Sequence, residues 1–224
     1  MLNTKVFHFN LFNVNTYLVW NEASEAFIVD PGQQTPEEAE AFDAFIAAQG
    51  LKVQAILLTH AHPDHIMGLW HCIDRYGAPV YLNDADKQVL PDLCRFAARI
   101  GMPCSNEDFS SIGIEDGQVL GLAGCSWTVI TTPGHTPGGV CYYCEEEGMM
   151  FTGDTLFAGT IGRTDLEHGE YDHLIVSVME KLMGLPAATV ILPGHGPSST
   201  ISDERTHNPF LEPFNEPEEM EMPQ

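Results

Sequence analysis

The chain has 224 residues, 44% hydrophobic and 18% charged, which is enough for one α/β domain that buries roughly 70% of its unfolded surface without a disulfide or structural-metal staple. Nine Lys and Arg stand against 32 Asp and Glu, a formal net charge of −23. Such a field repels phosphate backbones and anionic lipid surfaces, arguing against nucleic acid and membrane as main partners, and any anionic substrate must be met by one of the few basic residues.

In chain order, Val6–Phe12, Tyr17–Trp20 and Ala26–Val29 read as strands, the last running into Asp30-Pro31-Gly32. Thr35, Pro36 and Glu38 form a capping box with proline at the first helical position, and Ala39, Phe42, Phe45 and Ile46 recur at helical spacing until Gly50. Val53–Thr59 is a continuous apolar run expected of a strand buried on both faces. Asp64–Tyr76 reads as one helix closed by Gly77, Val80–Leu82 as a short strand, and Asp84–Arg99 as a helix broken near Pro91. Residues 101–118 read as loop, Trp127–Thr131 as a strand, and Val140–Cys144 and Met149–Thr152 as a pair around Glu145–Gly148. Tyr171–Met183 is a predicted helix and Thr189–Leu192 a last buried strand. Strands alternating with helices in both halves predict a layered α/β domain over residues 1–209, and the acidic, Pro-rich 210–224 reads as a poorly ordered tail.

No basic stretch followed by a long apolar run opens the chain, and no apolar run approaches the ~20 residues of a membrane span, so a cytoplasmic protein is expected. The six cysteines (Cys72, Cys94, Cys104, Cys125, Cys141 and Cys144) then read as reduced thiols. Cys141-Tyr-Tyr-Cys144 has the spacing of half a zinc ribbon, but strand alternation puts its sulfurs on opposite faces.

The chemistry concentrates in Thr59-His60-Ala61-His62-Pro63-Asp64-His65, where a buried strand passes into a helix. His60 and His62, two apart in extended backbone, point the same way and can grip one ion, while Asp64 and His65 can face a second. Neutral imidazoles and carboxylates are the donors that zinc, iron and manganese accept. Three later strand ends repeat the form in Pro133-Gly134-His135, Gly153-Asp154-Thr155 and Pro193-Gly194-His195. Asp30 reads as an organiser of the loop beneath these residues, His71 as packing or as a support behind the cluster, and His8, His168, His173 and His207 as surface histidines.

The order HxHxDH, His, Asp, His resembles the metallo-β-lactamase superfamily from Asp30 through His195. Within it, Phe151–Phe157, Gly162-Arg-Thr-Asp165 and Glu204–Pro209 are most similar to the glyoxalase II (hydroxyacylglutathione hydrolase) branch in a compact form. The resemblance implies a four-layer αβ/βα sandwich holding two divalent ions, zinc foremost, with iron or manganese also admissible. It implies that His60, His62 and His135 hold the first ion, that Asp64, His65 and His195 hold the second, and that Asp154 bridges them. A bridging hydroxide would then attack the carbonyl of a small anionic thioester such as a hydroxyacylglutathione, with Asp64 a ligand that could also accept a proton and Arg163 either contacting the thiol carrier's carboxylate or held in a structural ion pair with Asp165. A thiolate leaving group, with a thiol pKa of about 8.5, needs little protonation. Full-length glyoxalase II adds a C-terminal helical domain that supplies much of its glutathione site, whereas only a short stretch follows His195 here. The alternatives are a persulfide dioxygenase with a single iron on His60, His135 and Asp154, a lactonase with the same machinery, and a metal-binding module without catalysis. A secreted β-lactamase fits poorly with the expected absence of a leader, and a nuclease with the charge.

Overall fold

The computed structural model describes residues 2–99 and 109–212. The N-terminal half builds a six-stranded sheet in sequential order from β1 (Asn3–Phe9), β2 (Val14–Trp20), β3 (Glu25–Val29), β4 (Lys52–Leu57), β5 (Val80–Leu82) and β6 (Ser111–Gly113). Its first three strands meander antiparallel, and β3 through β6 run parallel. Parallel neighbours need crossovers, and the helices α1 (Pro36–Ala48), α2 (Pro63–Ile66), α3 (Leu69–Tyr76) and α4 (Asp84–Arg99) lie in those connections. The second sheet takes β7 (Val119–Leu122), β8 (Cys125–Thr131), β9 (Val140–Cys144), β10 (Met149–Gly153), β13 (Val190–Pro193) and β14 (Ser199–Thr200) in the order β14-β13-β10-β9-β8-β7. A small hairpin of β11 (Leu156–Phe157) and β12 (Thr160–Ile161) stands apart from it. Helices α5 (Tyr171–Ser177) and α6 (Ile201–His207) complete this half.

Three apolar clusters divide these elements into four layers. Phe42, Ile46, Leu69, Cys72, Leu90 and Leu93 seat α1, α3 and α4 on one face of the first sheet with Leu18, Ile28 and Ile56. Val19, Phe27, Val29, Ala55 and Leu57 on its other face meet Trp127, Val129, Tyr142 and Phe151 of the second sheet. Cys141, Tyr143, Met150 and Ile191 on the outer face of the second sheet meet Leu174, Val178, Leu182 and Ile201. The chain is thus a four-layer αβ/βα sandwich, and alternate residues of β2, β3 and β4 are apolar in both directions because both faces are covered.

The capping box of α1 forms as read: Thr35 Oγ1 accepts from Glu38 N (3.2 Å) and Glu38 Oε2 accepts from Thr35 N (3.1 Å). Other expectations are corrected. The single helix expected over Asp64–Tyr76 is two, because Gly68 turns out of helical geometry to donate to the carbonyl of Pro31 (2.9 Å). Pro91 lies inside α4 without breaking it, since the buried stripe of Leu90, Leu93, Cys94 and Ala97 continues across it. Within the loop expected over 101–118, Ser111–Gly113 is an edge strand; residues 101–108 lie outside the described part. The helix over Tyr171–Met183 ends as α-helix at Ser177 and continues as a π-helical turn, Val178–Leu182. A 3₁₀ turn at Pro209–Leu211 buries Leu211, so packing runs past residue 209, while residues 213–224 of the expected tail lie outside the described part. Cys72, Cys125, Cys141 and Cys144 are free thiols, but Cys94 is disulfide-bonded, which corrects the reading of six reduced cysteines. Among the described residues no helix is long and apolar enough to cross a membrane.

Phe27 sits edge-on to Trp127 (5.1 Å between centroids), and Trp127 stacks on Phe151 (5.3 Å), all fully buried between the sheets. Phe27→Ala is expected to cost about 3–5 kcal/mol, read as a lowered denaturant midpoint with an unchanged slope.

Candidate metal centre

Every residue singled out for metal chemistry lies just beyond the C-terminal end of a strand, at one edge of the two sheets. His60 to His65 follow β4, His135 follows β8, Asp154 follows β10 and His195 follows β13. One donor atom from each of His60, His62 and His135 falls within 4.8 Å of the other two, and the same holds for Asp64, His65 and His195. Asp154 stands between the groups: Oδ2 is 3.5 Å from His135 Nε2 and 3.7 Å from His195 Nε2, and Oδ1 is 3.4 Å from His65 Nε2. Asp64 Oδ2 approaches His195 Nε2 at 3.2 Å and His65 Nε2 at 3.7 Å. The first group is nearly sealed, whereas the side chains of Asp64, Asp154 and His195 are 15%, 13% and 27% exposed, so the cluster opens on their side.

Hydrogen bonds on the outer ring nitrogens fix which nitrogen faces inward. His135 Nδ1 donates to the carbonyl of Arg163 (2.6 Å), and His195 Nδ1 donates to that of Phe12 (3.0 Å). His65 Nδ1 lies 2.9 Å from Asp30 Oδ2. Thr59 Oγ1 gives its proton to Asp30 Oδ2 (2.6 Å), which leaves its lone pair for His60 Nδ1 at 3.0 Å. Each of these four rings therefore donates outward from Nδ1 and turns its Nε2 toward the centre. His62 differs, with Nδ1 2.8 Å from His135 Nε2. Two lone pairs do not face each other at that distance without a proton or a cation between them. Among the described residues His60 Nε2 and Asp154 Oδ1 are buried with no hydrogen-bond partner. A set of imidazoles and carboxylates with inward atoms left unpaired fits divalent cations.

The charges are pushed apart across the cluster. Burial and the neighbouring imidazoles hold His60 well below the usual histidine range, and burial with His135 does the same to His62. Burial also disfavours the charged form of His65, but Asp154, Asp64 and Asp30 outweigh it and push that group up to about 10. His195 is likewise raised against its burial by the hydrogen bond to Asp64 and the charge of Asp154. Burial would raise Asp64, yet His65, His195 and His62 hold it below the usual carboxylate range.

Several residues that hold this arrangement escape sequence reading. Asp86, in the first turn of α4 and fully buried, accepts from Ala61 N (2.7 Å), Thr136 Oγ1 (2.9 Å) and Gly138 N (2.6 Å). It ties the segment between His60 and His62 to the segment after His135, and burial still raises it despite the three donors. The His195 loop is pinned on β2, where Asn15 Nδ2 donates to the carbonyls of Pro193 and Gly196 (both 2.9 Å) and Tyr17 Oη to that of Pro193 (2.7 Å). Gly194 is required by space: a Cβ there would lie 2.3 Å from Asp154 Oδ1 and 2.6 Å from His65 Cε1. Glu204, from the late Glu-Arg-Thr-His-Asn segment, is structural; it accepts from Gly159 N (2.8 Å) and Asn208 Nδ2 (2.7 Å). A local signal for α6 existed in Thr200 three residues before Asp203, whose N–H it caps. Asp86, Asn15 and Tyr17 had none.

The remaining expectations place as follows. Asp30 takes three hydrogen bonds beneath the cluster. Arg163 is 60% exposed and forks onto Asp165 (Nε–Oδ1 2.8 Å, Nη2–Oδ2 2.9 Å). His71 is not core packing but an exposed residue 3.1 Å from Asp43. His168 is half-buried against Asp92 (3.3 Å), while His8, His173 and His207 are exposed.

The family pattern described as the metallo-beta-lactamase superfamily matches residues 9–195. A hydroxyacylglutathione hydrolase, GloC, of Haemophilus influenzae (strain Rd) is 34% identical over 212 residues, 94% of this chain and 98% of that protein. The crystal structure of the BLEG-1 B3 metallo-beta-lactamase superposes with a TM-score of 0.87 at 36% identity, covering 94% of this chain and 100% of that one. That of TTHA1623 in a di-iron-bound form gives 0.83 at 33% identity, covering 92% and 100%.

Asp86→Asn turns one acceptor into a donor and leaves a buried N–H unpaired, at a cost of about 1–3 kcal/mol. The variant is expected to unfold earlier and to retain less metal than the parent protein after dialysis, by elemental analysis. Because His65 in the metal-free protein is charged below pH about 10, a cation entering beside it must displace a proton. Apparent affinity should therefore fall as pH drops, by about tenfold per unit for each proton displaced, and titration calorimetry in buffers of different ionisation enthalpy will read the release.

Proposed function

The chain belongs to the metallo-β-lactamase superfamily, and we propose that it is a dinuclear metal-dependent hydrolase that cleaves thioesters of the hydroxyacylglutathione type. The observation that carries this reading is the pair of three-residue donor groups joined by Asp154 and open on one side. On this reading His60, His62 and His135 would hold one ion and Asp64, His65 and His195 the other, with Asp154 placed between the two groups. Two such ions lower the pKa of water to about 7 and polarise a carbonyl oxygen. Zinc is the foremost candidate, and the di-iron form of TTHA1623 keeps iron in view.

The chain's own groups supply the rest. Asp64, held ionised on the open side, is placed to accept the proton of an attacking water. His195 lies beside the turn Asn10–Asn13, which holds it through the Phe12 carbonyl and carries the exposed side chains of Leu11 and Phe12. Those side chains offer an apolar lip for an acyl group. Arg163 is the cation for the carrier's carboxylate, exchanging Asp165 for substrate. Similarity to GloC over nearly the full length of both chains supports the glutathione thioester, and the likeness to a B3 metallo-beta-lactamase supplies the competing substrate.

The test is turnover of S-lactoylglutathione by zinc- and iron-loaded protein, beside a β-lactam and beside oxygen uptake with glutathione persulfide. Thioester turnover is expected, with His135→Ala and Asp154→Ala each lowering kcat about a hundredfold or more and metal content falling below two per chain. Arg163→Ala should raise KM about tenfold with kcat kept, the scale of one lost charge-assisted hydrogen bond. Oxygen uptake without thioester cleavage would overturn the reading in favour of the iron dioxygenase.

A further inference from the structure

At the opposite end of the second sheet from the histidines, two cysteines and a glutamate meet. Cys125 opens β8, Cys144 closes β9, and Glu146 stands in the turn between β9 and β10. One donor atom from each, both sulfurs and a carboxylate oxygen, lies within 4.8 Å of the other two. Cys144 is fully buried and donates to Glu146 Oε2 (3.3 Å), which also accepts from Ser126 N (3.4 Å); Cys125 is half-buried. The pair that spacing suggests, Cys141 and Cys144, does not form: Cys141 packs toward the outer helices and Cys144 toward the space between the sheets.

We propose that Cys125, Cys144 and Glu146 form a second, separate binding site for a thiophilic cation of the zinc or cadmium type. Two sulfurs at metal–sulfur lengths of about 2.3 Å in a tetrahedron stand about 3.8 Å apart, a spacing that small rotations of side chains already within 4.8 Å can reach. Glu146 supplies the third, harder ligand and water the fourth. The turn residues Glu145 and Glu147 beside Glu146, on a chain of net charge −23, add a field that draws cations in. A disulfide is the competing use of the pair, but geometry disfavours it. The β8–β9 register runs Thr128↔Tyr143, so the next step sets Cys144 opposite Trp127 and makes Cys125 its diagonal neighbour. Diagonal partners lie about 7–8 Å apart, beyond the usual disulfide span. Burial also keeps both thiols protonated, Cys144 up to about 12, which slows oxidation. Each sulfur–metal bond therefore forms as a thiol releases its proton to solvent, with no electrons transferred.

The experiment adds cadmium to the zinc-loaded full chain and follows the thiolate-to-cadmium charge-transfer band in the ultraviolet. The histidine cluster contains no sulfur and cannot give this band. Saturation at one equivalent is expected, with the band lost in Cys125→Ser and Cys144→Ala, kept in Cys141→Ala and Cys72→Ala, and binding weakened roughly tenfold or more in Glu146→Gln. Cys125→Ser, at a half-buried edge, keeps the test open if Cys144→Ala folds poorly. Absence of the band, a band undiminished in Cys125→Ser, or a thiol titration showing Cys125 and Cys144 already oxidised would overturn the proposal.

Discussion

The metal centre depends on one buried carboxylate. Asp30 accepts from Thr59 N (2.8 Å) and Thr59 Oγ1 (2.6 Å) and lies 2.9 Å from His65 Nδ1. It therefore sets the start of the histidine loop, orients His60 through the threonine hydroxyl and turns His65 Nε2 inward. The backbone at Asp30 is left-handed (φ 50°), and its carbonyl is held by Thr16 Oγ1 (2.6 Å), which in turn accepts from Gly32 N (2.9 Å). That conformation costs an ordinary residue of order 1–3 kcal/mol and persists because the surrounding bonds over-determine it. Asp86 adds a second buried acid on the side of the first donor group, through Ala61 N and Gly138 N, while Asp30 reaches one ring in each group.

Sealing and opening are divided between the two halves. His60, His62 and His135 are buried, and burial disfavours the charged forms of His60 and His62. Asp64, Asp154 and His195 are partly exposed and form the more open side of the cluster.

The surface charge and the site also fit together. A chain with net charge −23 repels anions in general, so an anionic substrate must be held by local cations. Arg163, one of the few cations, lies on the loop whose backbone carbonyl orients His135, and its side chain is paired with Asp165. The same acidity favours cations elsewhere, including the turn at Glu145–Glu147.

The amino-acid sequence by itself determined what is local. HxHxDH places four donors within six residues, the Gly-Pro turns mark the later strand ends, and the Thr35–Glu38 box and the apolar runs of β2 to β4 set their elements. These are readable because caps, alternation and loop ligands act over a few residues. Tertiary structure alone decided which groups hold them. Asp86 reaches residues 25 to 52 positions away, and Asn15 and Tyr17 reach Pro193 across 178 and 176. Gly68 splits a helix to satisfy Pro31, and Cys144 turns to Cys125 rather than to Cys141. No periodicity encodes such pairs, since a hydrogen bond or a shared pocket between distant segments exists only once the two sheets have packed.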